Sequence, residues 1–313
     1  MMKAYAQRSI QLTVLALFLY GNSGSAAAPE AKAQIQVPLG KSNAVFRLVS
    51  PRKMEIDYPD YYLLETEVTN LQFRDYLLAM HKTKDDSEVL AKVKKRDETG
   101  EFPSTGDVPL SVEDPDTIWH DNDFPRGLEN HPVAHVTLHD ANDFCRWLSE
   151  RHAEVGTFRL PTWNEWMLAA FGASRKYPWG DQWDKSRVHM SFGYKSNLPK
   201  RTEEVKARPK GRSPEGIYGL LGNVDEYIDP RDPTTGDYFN LGSRFMGGGF
   251  TDGRLGMGKD KIAPRKDYWG YSHHSTARTS TLGFRVMLDP TKDKSLLKHK
   301  RLFDQNDRSW MIK

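Results

Sequence analysis

A single cysteine, Cys145, occurs in 313 residues. That excludes an intramolecular disulfide, a cysteine-rich zinc module and any chemistry that needs two thiols. Long apolar runs are also missing: Ile10 to Tyr20, at 11 residues, stops well short of the roughly 20 that a membrane-spanning helix requires. No excess of one charge is present, with 45 Lys and Arg against 42 Asp and Glu, so nothing suggests a phosphate-tracking face or a nucleic-acid partner. There is no Gly-rich phosphate loop between a strand and a helix, no G-x-S-x-G elbow, no internal repeat and no low-complexity block. The acidic clusters Glu113-Asp114-Pro115-Asp116 and Asp121-Asn122-Asp123 lack EF-hand spacing.

What is present begins with an export signal. Lys3 and Arg8 precede the short apolar run, and Ser25 to Ala28 supply small residues for cleavage. Residues 1–28 are therefore expected to be a signal peptide and the protein periplasmic, touching a membrane only indirectly. Residues 29–59 form a lead-in, with Ala44 to Val49 as an edge strand. Lone Cys145 lies on an apolar helical face with Ala141, Phe144 and Leu148, which predicts a buried thiol packing as a small hydrophobe.

Three helix starts are written in the sequence. Thr69 with Gln72, Thr137 with Asp140, and Thr162 with Glu165 each place a carbonyl-bearing side chain three residues after a threonine N-cap. The first helix should bury Phe73, Tyr76, Leu77 and Met80, and the third Trp166, Ala169 and Ala170. Tyr61 to Val68 and Leu282 to Leu288 are predicted strands, Phe158 to Leu160 an extended connector, and Tyr177 to Asp181 a turn with an aromatic wall. Phe245 to Phe250 is predicted as a strand whose three glycines admit close approach. Lys82 to Asn130, charged and carrying four prolines, is predicted as a long decorating loop with a short helix near Ser87 to Val93. His131, His135 and His139 sit in an extended stretch where successive histidines are about 13 Å apart, too far to share an ion, so each is expected to be hydrogen-bonded or exposed.

In order along the chain stand Glu65-Thr-Glu-Val-Thr-Asn70, His131-Pro-Val133 with Asp140-Ala141, Phe144-Cys-Arg-Trp-Leu148, Arg159-Leu-Pro-Thr162, Glu165-Trp166, Tyr177-Pro-Trp-Gly-Asp181, Gly222-Asn-Val224 with Glu226, Gly247-Gly248 and Gly283-Phe-Arg285. This series resembles the sulfatase-modifying-factor, or formylglycine-generating enzyme, domain family. The resemblance implies an α+β domain over residues 60–289, the family's variant of the C-type lectin fold with little regular secondary structure. It leaves 290–313 as a basic tail.

The family's enzymes oxidise a sulfatase cysteine using copper held by two cysteines. Matching the glycine strand places Asp252 and Met257 at those two positions. A carboxylate and a thioether do not make a bis-thiolate copper site, so no copper and no formylglycine activity are expected. The resemblance also implies structural calcium, with Gly222 and Val224 giving carbonyls and Glu226 a carboxylate. The family's further side-chain ligand has become Gly219, and Glu226 as a simple hydrogen-bonded acid is the alternative.

Two functions follow from the resemblance. The first is a non-catalytic periplasmic regulator that contacts the periplasmic domain of a membrane kinase in the threonine-phosphorylation control of type VI secretion. The second is a periplasmic oxidative enzyme with a replaced active site, as in relatives that mature the pyoverdine siderophore chromophore. In that case Asp252, Tyr271, His273 and His274 are the candidate acids, bases or ligands, and with Met257 they make up the expected cleft.

Overall fold

Each helix starts at the threonine box that the sequence announces. In α1 (Asn70–Ala79), α2 (Leu138–Arg151) and α3 (Trp163–Phe171), the threonine Oγ accepts from the N3 backbone while the N3 side chain accepts from the threonine N–H. The structure is a computed structural model that describes residues 32–87, 118–190, 201–229, 244–250 and 278–290. These lie in one compact unit beginning at Lys32.

The strands are short: β1 (Gln34–Pro38), β2 (Asn43–Val49), β3 (Tyr61–Leu64), β4 (Thr157–Arg159), β5 (Asp225–Ile228), β6 (Arg244–Met246), β7 (Leu282–Phe284) and β8 (Met287–Asp289). Five form an antiparallel sheet in the order β1-β2-β3-β8-β4, and three form a second sheet in the order β6-β5-β7. In the small sheet β5 runs antiparallel to β6 and parallel to β7.

Several expectations are corrected. The segment holding Ala44 to Val49 is not an edge strand, because β1 pairs along its outer side from Gln34↔Arg47 to Pro38↔Asn43. The apolar run Leu282 to Leu288 is two strands in two sheets, joined through Arg285 and Val286. The strand expected over Phe245 to Phe250 ends at Met246, where Gly247 and Gly248 turn with φ of 99° and 77°. The strand from Tyr61 ends at Leu64. Met80 leaves the buried face, 42% exposed, because α1 stops at Ala79 and Met80 is its C-cap. All nine residues of α3 are buried, not one face alone. The expected loop is core at its end: Ile118, Trp119, Phe124 and Leu128 are buried. The short helix expected over Ser87 to Val93 falls outside the described residues after Ser87, as do residues 1–28 and most of 290–313.

Aromatic rings join the elements. Phe73 of α1 stacks on Phe144 of α2 at 6.0 Å, and Phe284 of β7 meets both edge-on at 6.2 and 5.4 Å. Trp119 closes on Phe73 at 6.2 Å. Each such ring contributes on the order of 1.5–3 kcal/mol through burial, so the core is held from four remote stretches of chain. The three caps orient the helices onto it. Thr162→Ala should lower stability by about 0.5–2 kcal/mol, read as a drop in urea midpoint at unchanged slope. No change would mean that Glu165 alone holds the start of α3.

Candidate functional site

The crossover between the two sheets delivers one charge to the centre of the molecule. Arg285 follows β7 directly and is fully buried. Its Nε donates to Glu226 Oε2 at 2.6 Å and one terminal nitrogen donates to Glu226 Oε1 at 2.5 Å. The remaining donors reach the Tyr218 carbonyl at 2.9 Å and the carbonyl of Leu64, the last residue of β3, at 3.2 Å. Trp166 of α3 donates its Nε1–H to Glu226 Oε2 at 2.9 Å. A planar guanidinium with fixed donors suits this bidentate task, which a lysine could not reproduce.

Glu67 completes the group. It too is fully buried, and Asn223 Nδ2 donates to its Oε1 at 3.1 Å, while Oε2 has no partner among the described residues. Burial pushes this carboxyl up to about 8, opposed by the Arg285 charge and assisted by that of Glu226. A carboxyl in this position keeps its proton at neutral pH more readily than a solvated one. Gly219 makes room for it. With φ of +66°, a Cβ at 219 would stand 2.4 Å from the Glu67 carboxylate oxygens. The side chain missing at position 219 is thus replaced in space by Glu67.

This arrangement does not fit the calcium expected on Gly222, Val224 and Glu226. Both Glu226 oxygens are engaged by three donors from Arg285 and Trp166. Calcium takes six to eight oxygens, and here it would have to displace a guanidinium from a buried pair. No cluster of three metal-ligating side chains occurs among the described residues.

Asp252, Met257, Tyr271, His273 and His274 lie outside the described residues. Cys145 is a free, buried thiol whose ionisation burial pushes well up. A thiol that does not ionise is neither nucleophile nor metal ligand. The close approach expected at the glycine strand occurs at Gly249, where an added Cβ would meet the Thr281 side chain at 2.5 Å. The aromatic wall is formed by Tyr177 stacked on Trp179 at 5.5 Å, with Trp183 at 5.2 Å from Tyr177. Of the three spaced histidines, His139 is exposed and His131 pairs through Nδ1 with Thr202 Oγ1 at 3.0 Å. His135 departs from expectation: it is buried, and neither ring nitrogen has a partner among the described residues.

Leu64, Glu65, Thr66, Thr69, Leu71 and Gln72 form one wall of a surface cleft of about 470 Å³. The other walls come from Gln36, Ser42 and Asn43 on the β1–β2 hairpin and from Asn130 and Glu204 to Lys206. Glu65 lies at its base, bound by Arg47 and Lys206. These cations hold its carboxyl below the usual carboxylate range against the effect of burial. Amides, hydroxyls and the ion-paired Glu65 share the lining with Val45, Leu64, Leu71 and Val205, so the cleft offers hydrogen bonds beside apolar surface.

The family described as the sulfatase-modifying factor enzyme 1-like domain matches residues 21–290. A formylglycine-generating enzyme of Streptomyces coelicolor is 28% identical over 214 residues, 56% of this chain and 64% of that protein. An inactive Cα-formylglycine-generating enzyme 2 of Bos taurus is 33% identical over 107 residues, 31% of this chain and 32% of that protein. The chain therefore spans less than two thirds of the length of each of these relatives. Among solved structures, Treponema denticola variable protein 1 is similar over 83% of this chain and 100% of its own, with a TM-score of 0.48 and 19% identity. PvdO from Pseudomonas aeruginosa is similar over 74% and 81%, with a TM-score of 0.45 and 18% identity. The architecture is the α+β formylglycine-generating-enzyme variant of the C-type lectin fold, with little regular secondary structure. With more than half its length matched, the chain belongs to the sulfatase-modifying factor enzyme 1-like domain family.

Proposed function

We infer that the protein is a non-catalytic periplasmic binding and regulatory member of this family. Its partner is the periplasmic domain of a membrane kinase that controls type VI secretion through threonine phosphorylation. The observation that carries the non-catalytic part is Cys145: the chain has one cysteine, and that thiol is buried in α2. Two soft thiolates on one metal cannot be assembled from it. The same scaffold retains an open cleft of mixed polar and apolar lining, and irregular loops on a rigid core suit adaptable recognition.

The test uses the full chain and the purified periplasmic domain of the kinase. Calorimetry should show saturable binding. Gln36→Arg together with Glu204→Arg, both exposed at the cleft rim, should weaken it by about tenfold or more, as expected for misplaced charge at an interface, at unchanged thermal midpoint. No complex with the kinase domain, or turnover of a sulfatase peptide to formylglycine, would overturn the reading.

A further inference from the structure

The five-stranded sheet ends in β1 on one side and β4 on the other, and its two edges differ. At β4, Phe158 turns its N–H and carbonyl outward, and Ser149 of α2 meets both. The serine Oγ accepts from the N–H at 2.8 Å and lies 2.9 Å from the carbonyl. At β1, Leu48 donates to the Ala33 carbonyl and Leu39 donates to the Ser42 carbonyl. With the register from Gln34↔Arg47 to Pro38↔Asn43, these bonds turn the odd-numbered residues of β1 toward β2. The N–H and C=O of Gln34 and of Gln36 then point away from the sheet, because alternate residues of a strand bond to opposite sides. Pro38 follows the same parity: its outward carbonyl accepts from His152 Nε2 at 2.9 Å. The four outward groups of Gln34 and Gln36 have no hydrogen-bond partner among the described residues.

An open row of backbone donors and acceptors is a template for another strand, and folded proteins guard such rows with charge, proline or a bulge. None of these guards the middle of β1. The strand carries no charged residue, its register with β2 is unbroken, and its proline comes last. Both glutamines are exposed. Ile35 between them is half-buried on the core-facing side, opposite Phe46.

We propose that β1 pairs antiparallel with β1 of a second copy of this chain, about a two-fold axis between the two Ile35 residues. In that register Gln34 of each copy faces Gln36 of the other, and each such pair exchanges both of its N–H···O bonds. The edge is thus self-complementary, as a two-fold contact requires, and all the free groups of both copies are met. Neighbouring registers do worse. Shifted one way, Gln34 meets Pro38, which has no N–H and whose carbonyl His152 already holds. Shifted the other way, Gln36 meets Lys32, whose carbonyl already accepts from Tyr62 Oη at 2.9 Å. At the axis the two Ile35 side chains stand in the close, non-hydrogen-bonded position, with about 4.5 Å between Cα atoms, so each covers the exposed part of the other. A strand pair this short is a small contact, and the dimer is weak and concentration-dependent. The pairing does not depend on the kinase contact inferred above, although Gln36 also borders the cleft.

The experiment is sedimentation velocity on the full chain alone, from micromolar concentration to about 1 mM, the weak end of specific association. The mass should rise toward that of two chains. Gln36→Pro removes an outward N–H at an edge position, where proline is tolerated. It should weaken association by about tenfold or more at unchanged thermal midpoint. Introduced cysteines read the register, because Cys145 is buried and is the only native thiol. Ile35→Cys should cross-link to its own copy on mild oxidation, since the spacing at the axis lies within disulfide reach. Gln36→Cys should cross-link about tenfold less, because in this register the two copies of residue 36 stand more than about 7 Å apart. A monomer at every concentration, or equal cross-linking at 35 and 36, would overturn the proposal. So would β1 amides that resist hydrogen exchange only once the kinase domain is added, a result that gives the edge to a strand of that partner.

Discussion

Arg285→Ala is expected to cost about 3–5 kcal/mol of unfolding free energy, the range for removing one partner of a buried ion pair. The magnitude follows from what remains. Glu226 would keep one hydrogen bond, from Trp166, in a position with no exposure. The carbonyls of Leu64 and Tyr218 would lose their donors as well. Because Arg285 lies between β7 of the small sheet and β8 of the large one, the loss should loosen the join between the sheets. Urea denaturation with a double-mutant cycle separates the contributions. Arg285→Met combined with Glu226→Gln should recover part of the loss, since no buried ion is then stranded. Recovery stays incomplete while the two carbonyls lack partners. An Arg285→Ala cost below about 1 kcal/mol, the level of an exposed pair, would show that the centre of the molecule is wetter than the structure has it.

That junction was not legible in the sequence, and the reason is physical. An apolar run with one arginine looks like a single strand, because periodicity reports burial and not which sheet receives each half. Glu65 and Glu67 mislead in the same way. Two residues apart, they would share a face in a strand, yet β3 ends at Leu64, so Glu65 reaches the surface cleft while Glu67 turns inward. His135 adopts a left-handed conformation with no glycine to announce it. What was legible is local chemistry: three threonine boxes, the aromatic faces of α1 and α2, the turn at Tyr177 to Gly180 and the buried thiol. Each depends on neighbours within one or two turns of chain. The candidate site depends on Glu67, Asn223, Glu226 and Arg285, which come together only when the sheets meet.

Glu67 supplies the second large effect, and its sign can be worked out. In the unfolded chain a glutamate titrates near about 4.3, whereas burial raises Glu67 in the folded protein to about 8. A group raised in this way stabilises fully below the lower value, and that stability is lost as pH climbs toward the upper one, because the unfolded chain gives up its proton first. The slope approaches about 1.4 kcal/mol per pH unit inside that window. Arg285 and Glu226 are the charged groups facing Glu67, the first favouring ionisation and the second opposing it. His135, held low in the fold, acts in the opposite sense: it removes stability as pH falls through the acid range. Wild type alone therefore mixes the two, and the difference from Glu67→Gln isolates the carboxyl. The glutamine matches the protonated acid in shape and can still accept from Asn223. Glu67→Gln should be close to wild type near pH 5 and more stable by 1 kcal/mol or more, on the order of one pH unit of linkage, near pH 8. Urea midpoints at the two pH values decide it. Parallel pH profiles would mean that Glu67 is ionised throughout, its charge balanced by Arg285 shared between the two carboxylates.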